Sequence, residues 1–211
     1  MRTPTFPPID RHHLVRTEFF EDDQWVRLQG ELADHLRPLF TVAYWLGWRR
    51  GELLALQRSQ VDLDRGTVRL APGSTKNKDG RLVHLPAEAL RVLREQERAT
   101  RAMERAKRRL IPWVFHNDGE QLRDYYTGWR AACVRAGCPG MRPHDFRRTA
   151  ARNYTRAGVG EQVAMRITGH KTRNVFDRYN ITAERDLAEA ASRVTSHKAA
   201  ARKGRARDAG K

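Results

Sequence analysis

The stretch TVRLAPGSTKNKDGRLVHL, Thr67 to Leu85, decides the fold class because its pattern differs from the sequence on both sides. Its two ends, TVRL and RLVHL, are short alternating runs of the kind that forms β-strands. The polar segment between them includes Asp79 and Gly80, a pair typical of a hairpin turn. We therefore predict a small antiparallel sheet within Val61 to Leu85.

Helical periodicity dominates the sequence before this sheet. Apolar residues recur at helical intervals in two runs between Glu21 and Gly47, and Pro38 suits the first turn of the second run. A short third helix is predicted from Gly51 to Leu56. The apolar positions of the two longer helices are Trp25, Leu28, Leu32, Leu36, Leu39, Phe40 and Ala43.

The sequence after the sheet is also mainly helical in pattern. Pro86 is predicted to open a long charged helix that ends near Arg109, and the apolar run WVF, Trp113 to Phe115, predicts a short strand. Further helices are predicted at about Gln121 to Ala136, Pro143 to Ala157, Glu161 to Ile167 and Ala183 to Val194. The fold class is therefore mainly α with a small antiparallel β-sheet, an α+β fold.

Composition divides the chain into three parts. Residues 1–16 contain three prolines and no periodicity, which predicts an extended lead-in or the remnant of a linker. Residues 17–197 carry the periodic pattern and are predicted to form the main domain. Residues 198–211 are basic with little apolar content, which is typical of a disordered tail.

The excess of positive charge indicates a polyanionic partner. The 211 residues include 41 Lys and Arg against 25 Asp and Glu, a formal net charge of +16, so the surface should attract nucleic acid. An anionic membrane surface is a second candidate, but the sequence contains neither a continuous apolar span nor an N-terminal signal. A soluble, cytoplasmic protein is therefore expected.

The sequence does not predict a metal site. Cys133 and Cys138 are its two cysteines, and without a second pair they cannot form the usual four-ligand zinc site. We expect reduced thiols on or near a helix end. There is also no carboxylate cluster of the kind that holds two metal ions, so neither a metal nor another cofactor is expected.

Several polar residues lie in settings that suit chemistry, although each has an ordinary interpretation. Arg49 lies at a helix junction in LGWRRGELLAL, but an arginine in a basic protein is usually a surface residue. Lys76 begins the hairpin turn, where a lysine is usually exposed. His144 and Arg147 lie three apart near a predicted helix N-terminus, where the helix dipole and free amides favour an anion.

The stretch GHKTRNVFDRYN, Gly169 to Asn180, supplies two more candidates. His170 follows a glycine, and Tyr179 lies at the end of the next predicted helix. Val175, Phe176 and Tyr179 recur at helical spacing, which by itself favours packing of the tyrosine against the core.

Together these residue types describe a site for a phosphodiester. Two arginines can hold the non-bridging oxygens in fork geometry and stabilise the charge that develops at phosphorus. A tyrosine hydroxyl can attack phosphorus and form a covalent intermediate. Because its pKa is about 10, the hydroxyl needs a base, which an adjacent histidine can provide. A lysine on the hairpin can protonate the leaving 5′ oxygen, and this route needs neither metal nor ATP.

The chain resembles the catalytic domain of the tyrosine recombinases, the phage integrase family. The first family motif, Gly-x-Arg-x-x-Glu-Leu, is matched by Gly47, Arg49, Glu52 and Leu53, while Arg50 stands where the family usually has an apolar residue. The other motifs are matched by Thr75 and Lys76 with Lys78 as a weaker rival, by His144, Asp145, Phe146 and Arg147, by Gly169 and His170, and by Tyr179. Six motif residues in the family order over residues 17–195 make a specific match.

The resemblance implies an enzyme, a tyrosine-type site-specific recombinase whose catalytic domain is residues 17–197. The implied roles are nucleophile for Tyr179, phosphate clamp for Arg49 and Arg147, proton donor to the leaving 5′-hydroxyl for Lys76, and help with proton transfer and phosphate contacts for His144 and His170. The implied partners are double-stranded DNA and further copies of the chain, as a dimer on one site and a tetramer in synapsis. The helix at Ala183 to Val194 would pack either on a neighbouring protomer or in cis.

Three alternatives remain open at this point. Family members normally carry a separate helical domain before the catalytic one, and such an N-terminal core-binding domain is expected to be absent here. The chain would then be a fragment, a truncated or decayed integrase, or a naturally minimal member. A non-catalytic helix-turn-helix protein is also possible, because Arg147 to Thr172 has a pattern of helix, turn and helix. A type IB topoisomerase would relax DNA by related chemistry without exchanging strands.

Overall fold

The computed structural model describes residues 18–70, 80–177, 188, 191–192 and 194–196. The chain forms two units, Met1–Tyr179 and Asn180–Lys211. The described residues of the second unit have helical backbone, but most of the helix predicted at Ala183 to Val194 lies outside the described residues. Helices α1 to α8 and strands β1 to β5 all belong to the first unit.

The first two predicted helices are confirmed as α1, Asp22–Glu31, and α2, Arg37–Leu46. The side chain of Gln24 accepts a hydrogen bond from the main-chain N–H of Glu21 at 3.2 Å, which satisfies one donor at the start of α1. Pro38 lies in the first turn of α2, where its missing N–H costs no hydrogen bond. The predicted short helix is α3, Arg50–Leu54, slightly displaced from its expected bounds.

The predicted sheet is confirmed as three antiparallel strands in the order β1-β2-β3. The strands are β1, Val61–Asp62; β2, Thr67–Leu70; and β3, Arg81–His84. Leu70 pairs with Arg81 at the last position of the β2–β3 ladder. Residues 71–79 of the connecting segment, including Asp79 of the predicted turn and the candidate Lys76, lie outside the described residues.

The long charged helix is confirmed as α4, Ala87–Lys107. The strand predicted at Trp113 to Phe115 is wrong, since Trp113 makes only an isolated bridge with Gln57. The structure instead forms a two-stranded hairpin of β4, His116–Asn117, and β5, Glu120–Gln121. Asp118 and Gly119 turn the chain there with φ values of 52° and 90°. No helix in the described part of the chain is both long and apolar enough to cross a membrane.

The helix predicted from Gln121 starts later than expected, as α5, Tyr126–Arg135. The reason is local: Gln121 is already used in β5, and the carboxylate of Asp124 accepts a hydrogen bond from the Tyr126 N–H at 2.9 Å, which satisfies a donor of the first turn. Cys133, in the last turn of α5, and the following Cys138 are free thiols at a helix end, as predicted, and both are buried.

Three helices complete the first unit. They are α6, Asp145–Arg156; α7, Glu161–Thr168; and α8, Arg173–Asp177. The predictions of α6 and α7 are thus confirmed to within two residues at each end. Helix α2 packs closely on α6 because it ends in Gly47, which has a φ of 61°. A Cβ at Gly47 would lie 2.8 Å from the Cβ of Ala150, so this approach requires glycine.

Aromatic rings from distant parts of the chain pack around Phe146 at the start of α6. Its ring centroid lies 4.4 Å from Phe20, 5.4 Å from Trp25 and 5.5 Å from Trp129. Aromatic pairs at these distances add to the energy gained by burying their area. Because Phe146 is fixed in this core, the side chain of the next residue, Arg147, projects from α6 in a defined direction.

A smaller cluster fixes α7 and α8. Ala151, Ala164 and Phe176 are fully buried against one another. The helical spacing of Val175 and Phe176 predicts that both anchor a helix in the core; this is confirmed for Phe176, while the side chain of Val175 lies outside the described residues. The Phe176 ring also lies 5.4 Å from the His170 ring, in edge-to-face geometry, so the packing of α8 reaches the candidate site.

Candidate active site

Arg147 is a buried cation held by main-chain oxygens. Its side chain comes from the first turn of α6, and the residue is 2% exposed. It donates hydrogen bonds to the carbonyl oxygens of Gly47 at 2.8 Å and Gly169 at 3.0 Å, and to that of Thr168. Carbonyl acceptors orient a guanidinium without neutralising its charge, so it keeps its attraction for an anion.

Arg49 reaches the same Gly169 carbonyl oxygen from α3. It is the N-cap of α3, where its main-chain N–H donates to the Glu52 carboxylate at 2.9 Å. Its Nη1 donates to the Gly169 carbonyl oxygen at 3.3 Å and lies 3.5 Å from the same carboxylate. The side chain is 26% exposed, so part of the guanidinium faces solvent. Arg49 and Arg147, 98 positions apart in sequence, therefore share one acceptor.

Arg50, the neighbour that competes with Arg49 for the motif position, lies elsewhere. Its guanidinium donates to the Arg123 carbonyl oxygen at 2.7 Å. It also lies 5.4 Å from the ring centroids of both Tyr125 and Tyr126, in cation–π range. These contacts hold Arg50 on the side of α5, which leaves Arg49 as the arginine of the site.

His170 is 6% exposed and lies directly after Gly169, which ends α7 with a φ of 71°. Its Nδ1 is 2.6 Å from the Thr168 hydroxyl, which itself donates to the Ala164 carbonyl oxygen at 2.8 Å. When the hydroxyl keeps its bond to Ala164, it accepts a hydrogen bond from Nδ1–H, and in this tautomer the neutral ring presents the lone pair of Nε2.

Burial and positive neighbours keep His170 uncharged. Burial lowers the pKa of its imidazole to about 3, together with the positive charges of Arg147 and Arg49 and the proximity of His144 and Arg81. At neutral pH this histidine is therefore a potential proton acceptor.

His144 was predicted near the N-terminus of a helix, and it is the N-cap residue of α6. Its side chain is exposed, although desolvation of the ring and the charges of Arg147, Arg148 and Arg49 lower its pKa. The Arg147 N–H donates to the His144 carbonyl oxygen at 3.0 Å, so the two residues of this motif are joined through the backbone.

Glu52 and Arg81 complete the site. Arg81 donates to both carboxylate oxygens of Glu52, at 3.2 and 3.0 Å, and the two side chains are 8% and 2% exposed. The sequence prediction missed Arg81. A signal existed, because Arg81 and Val83 alternate along β3 with Leu85 directly after it, and an arginine in such an inward series needs a buried partner. The partner itself lies 29 residues earlier, beyond any local pattern.

The structure thus brings together four of the six predicted site residues: Arg49, His144, Arg147 and His170. The other two, Lys76 and Tyr179, lie outside the described residues. A surface cavity of about 450 Å³ adjoins the cluster. Its lining includes Gly80, Arg81, Arg166, Gly169, His170 and Lys171. Within residues 18–70 and 80–177, no group of three His, Cys, Asp or Glu side chains is placed to hold a metal ion.

This arrangement of helices with a small antiparallel sheet is the fold of the tyrosine recombinase catalytic domains. The chain superimposes on the XerA recombinase with a TM-score of 0.69 at 21% identity, over 83% of this chain and 64% of that one. For the catalytic domain of bacteriophage HP1 integrase the TM-score is 0.58 at 22% identity, over 84% and 95% of the two chains.

The chain belongs to the phage integrase family, whose sequence profile matches residues 18–185. It is 29% identical over 195 residues to the integrase of Salmonella phage P22, which covers 86% of this chain and 48% of that protein. It is 22% identical over 180 residues to the integrase of Mycobacterium phage D29, with 79% and 48% covered. The chain therefore spans about half the length of the curated relatives it matches.

Proposed function

We propose that this chain cleaves and rejoins double-stranded DNA as a site-specific recombinase, through a covalent 3′-phosphotyrosyl intermediate. The observation that carries the proposal is the convergence of Arg49 and Arg147 on the Gly169 carbonyl oxygen, beside the neutral ring of His170. Two oriented guanidiniums are suited to the non-bridging oxygens of one phosphodiester.

The two arginines stabilise the charge that develops at phosphorus. Arg147 is oriented before DNA arrives, because three carbonyl oxygens fix its guanidinium. A group that is already oriented stabilises a transition state without reorganising during the reaction. Arg49 is more exposed and contacts the phosphate from the side of α3.

The hydroxyl oxygen of Tyr179 attacks phosphorus, and the bond between phosphorus and the 5′ oxygen breaks. The proton that the tyrosine loses passes to a neutral histidine, and Nε2 of His170 offers the lone pair for it. The negative charge of the bound phosphate raises the low pKa of this ring, so His170 becomes a stronger base once DNA is in place. His144 contributes to phosphate contacts at the edge of the site.

Lys76 supplies the proton that the 5′ oxygen gains as it leaves. One phosphoester bond is thus exchanged for another, and the reverse steps join the tyrosyl phosphate to a 5′-hydroxyl of the same or another strand. Because the energy of the broken bond is kept in the protein–DNA ester, the exchange needs no ATP.

The proposed partners are double-stranded DNA and further copies of the chain, two on a site and four in synapsis. The net charge of +16 favours DNA. Two of the proteins with this fold, the XerH recombinase and the Tn1549 transposon integrase, have been solved in complexes with DNA. A cytoplasmic location, where the chain would meet its DNA, is part of the same proposal.

A nicked suicide substrate tests the proposal directly. Duplexes with a nick beside a randomised core lose the short strand after cleavage, so the covalent complex accumulates and survives SDS. We expect wild type to form this adduct on sequences recovered from the library. Tyr179→Phe should form none while it still binds the same DNA, and the matched change Tyr126→Phe, at a half-exposed tyrosine of α5, should leave the adduct intact.

Each alternative predicts a different result. A helix-turn-helix protein built from α6 and α7 would shift DNA yet form no adduct on any sequence. A type IB topoisomerase would form the adduct and relax supercoils, but it would not transfer strands between two duplexes. An adduct that persists in Tyr179→Phe would show that the nucleophile has been misassigned.

A further inference from the structure

We propose that Arg81 is a positioning residue for the two arginines that hold the scissile phosphate. The inference rests on the proposed function and adds a residue that lies outside the motifs. Arg81 stands at the start of β3, paired with Leu70 where the hairpin leaves the sheet. Its side chain turns away from solvent into the space between α3 and the end of α7.

The first support is the way in which Arg81 fixes Glu52. The two terminal nitrogens of its guanidinium donate to the two carboxylate oxygens, and both side chains are at least nine-tenths buried. The same carboxylate accepts the main-chain N–H of Arg49 at 2.9 Å and lies 3.5 Å from its guanidinium. Glu52 thus contacts two arginine side chains, and the guanidinium of Arg81 is the closer of the two.

The second support is the contact with Gly169. A Cβ placed on this glycine would lie 2.4 Å from Nη1 of Arg81, so the guanidinium packs directly under the glycine Cα. The guanidinium also lies 5.1 Å from the ring centroid of Trp48, and Trp48 in turn donates to the Ile167 carbonyl oxygen at 2.9 Å. Arg81 therefore supports the segment whose carbonyl oxygen Arg49 and Arg147 share.

These contacts also explain why Arg81 acts through other residues. Since its terminal nitrogens are engaged by a buried carboxylate, its charge is neutralised locally and it is a poor phosphate ligand. If Arg81 is removed, Glu52 is left buried without its main partner. The nearest cation is Arg49, which is then drawn from the Gly169 carbonyl towards the carboxylate and away from DNA.

The variants follow from this mechanism. Arg81→Met keeps the volume but leaves the Glu52 charge unpaired, whereas the double variant Arg81→Met with Glu52→Gln removes that charge and keeps an acceptor for the Arg49 N–H. Arg91→Met is the matched control, because Arg91 is an exposed arginine that pairs with Glu95 on α4. At saturating DNA we expect Arg81→Met to cleave about 100-fold more slowly than wild type, because small displacements of positioned groups cost this much. The double variant should recover part of that loss, and the control should keep the wild-type rate.

A second substrate separates positioning from a general loss of structure. A methylphosphonate at the cleavage site lacks the negative charge that the arginines neutralise, so a misplaced clamp matters less there. The defect of Arg81→Met, measured as the ratio to wild type, should shrink on this substrate. The inference is overturned if the defect is the same on both substrates, if Glu52→Gln fails to relieve it, or if Arg81→Met cleaves like the control.

Amide hydrogen exchange tests the same inference without DNA. The His170 N–H donates to the Met165 carbonyl oxygen at 2.9 Å, and Arg81→Met should speed its exchange while leaving the core of α2 unchanged. Unchanged exchange at His170 would overturn the role of Arg81 even if wild type forms no adduct. Lack of an adduct together with faster exchange would overturn the proposed recombinase activity but support Arg81 as the residue that holds this segment.

Discussion

Arg49 and Arg147 donate to the same carbonyl oxygen, that of Gly169, at 3.3 and 3.0 Å. Arg49 is the N-cap of α3, and Arg147 lies in the first turn of α6. The distance between their guanidiniums is therefore set by the Gly169 carbonyl oxygen, which belongs to neither helix. The atom is held in turn by the left-handed end of α7 and by Arg81 beneath it. The geometry of the phosphate clamp therefore depends on the backbone between Thr168 and His170.

Gly169→Ala should damage this site more than its size suggests. The alanine must keep a φ near 71°, and its Cβ would collide with the guanidinium of Arg81, which must then shift against Glu52. We expect a loss of about 1–3 kcal/mol in the free energy of unfolding from backbone strain, with a much slower cleavage step.

Gly30→Ala in α1 is the matched control, because nothing lies within 4 Å of a Cβ there. It should stabilise the protein slightly, as alanine is the better helix former. Urea unfolding and single-turnover cleavage measure the two effects. Wild-type cleavage in Gly169→Ala would contradict the importance of this contact.

Arg147→Ala should depress cleavage far more than DNA affinity. The guanidinium stabilises charge that develops at phosphorus, so its loss acts on the transition state, and we expect a fall of about 100- to 1000-fold in the cleavage rate. Arg147→Lys keeps the charge but cannot reach three carbonyl oxygens in fork geometry. Its cleavage rate should therefore lie between those of wild type and Arg147→Ala. Gel-shift affinities and adduct formation at saturating DNA measure the contrast. Equal losses of affinity and rate would argue against the clamp.

The local parts of this site were predictable from sequence. His144 and Arg147 lie at a helix N-terminus because a strong periodic pattern follows them, and the Gly-His pair of residues 169 and 170 ends a clear helix. The strands β2 and β3 were predictable from alternation. The starts of helices were harder to predict. The helix expected from Gln121 begins later because the turn at Asp118 lets Gln121 pair with His116 in the β4–β5 hairpin.

Contacts between distant parts of the chain could not be predicted. The partner of Arg49 lies 120 residues later, and that of Arg81 lies 29 residues earlier. Which carbonyl an arginine reaches depends on how α2, α6 and α7 pack, and this follows from the closeness that Gly47 permits. A motif identifies the arginine, but only the packing identifies what holds it.

The stability of the DNA-free protein should fall in acid, partly because of His170. Its folded pKa, about 3, lies below the usual unfolded value of about 6.5. A depressed histidine pKa contributes stability that is fully present above about pH 6.5 and is lost as the pH falls towards the folded value. Urea unfolding midpoints should therefore decrease below about pH 6.5.

His170→Asn should flatten this pH dependence without removing it. Burial and the charge of Arg58 also lower the pKa of His116, so that residue keeps part of the slope. His84→Asn, at an exposed position on β3, is the control and should keep the wild-type slope. If the unfolding midpoint of His170→Asn depends on pH as steeply as that of wild type, the pKa of His170 does not change on unfolding.

Arg58 should be the most important single side chain for attaching α4 to the rest of the fold. Its guanidinium donates to Glu97 at 2.7 Å, to Glu104 at 2.6 Å and to the Ile111 carbonyl oxygen at 2.8 Å. The three ionised side chains are 22%, 17% and 15% exposed, so the pairs are only partly screened by water. Arg58→Met leaves Glu104 without its cation and Glu97 with only the exposed Arg101, and we expect a loss of about 1–3 kcal/mol in the free energy of unfolding.

Arg101→Met is the matched control for Arg58→Met. Arg101 also donates to Glu97, at 2.6 Å, but its side chain is 66% exposed. An exposed pair of this kind contributes about 0–1 kcal/mol, so the control should unfold near the wild-type midpoint. Because neither residue lies near Arg49 or Arg147, adduct formation by the folded variants should be unchanged. If the two variants unfold at the same urea concentration, the burial of the Arg58 network contributes nothing to stability.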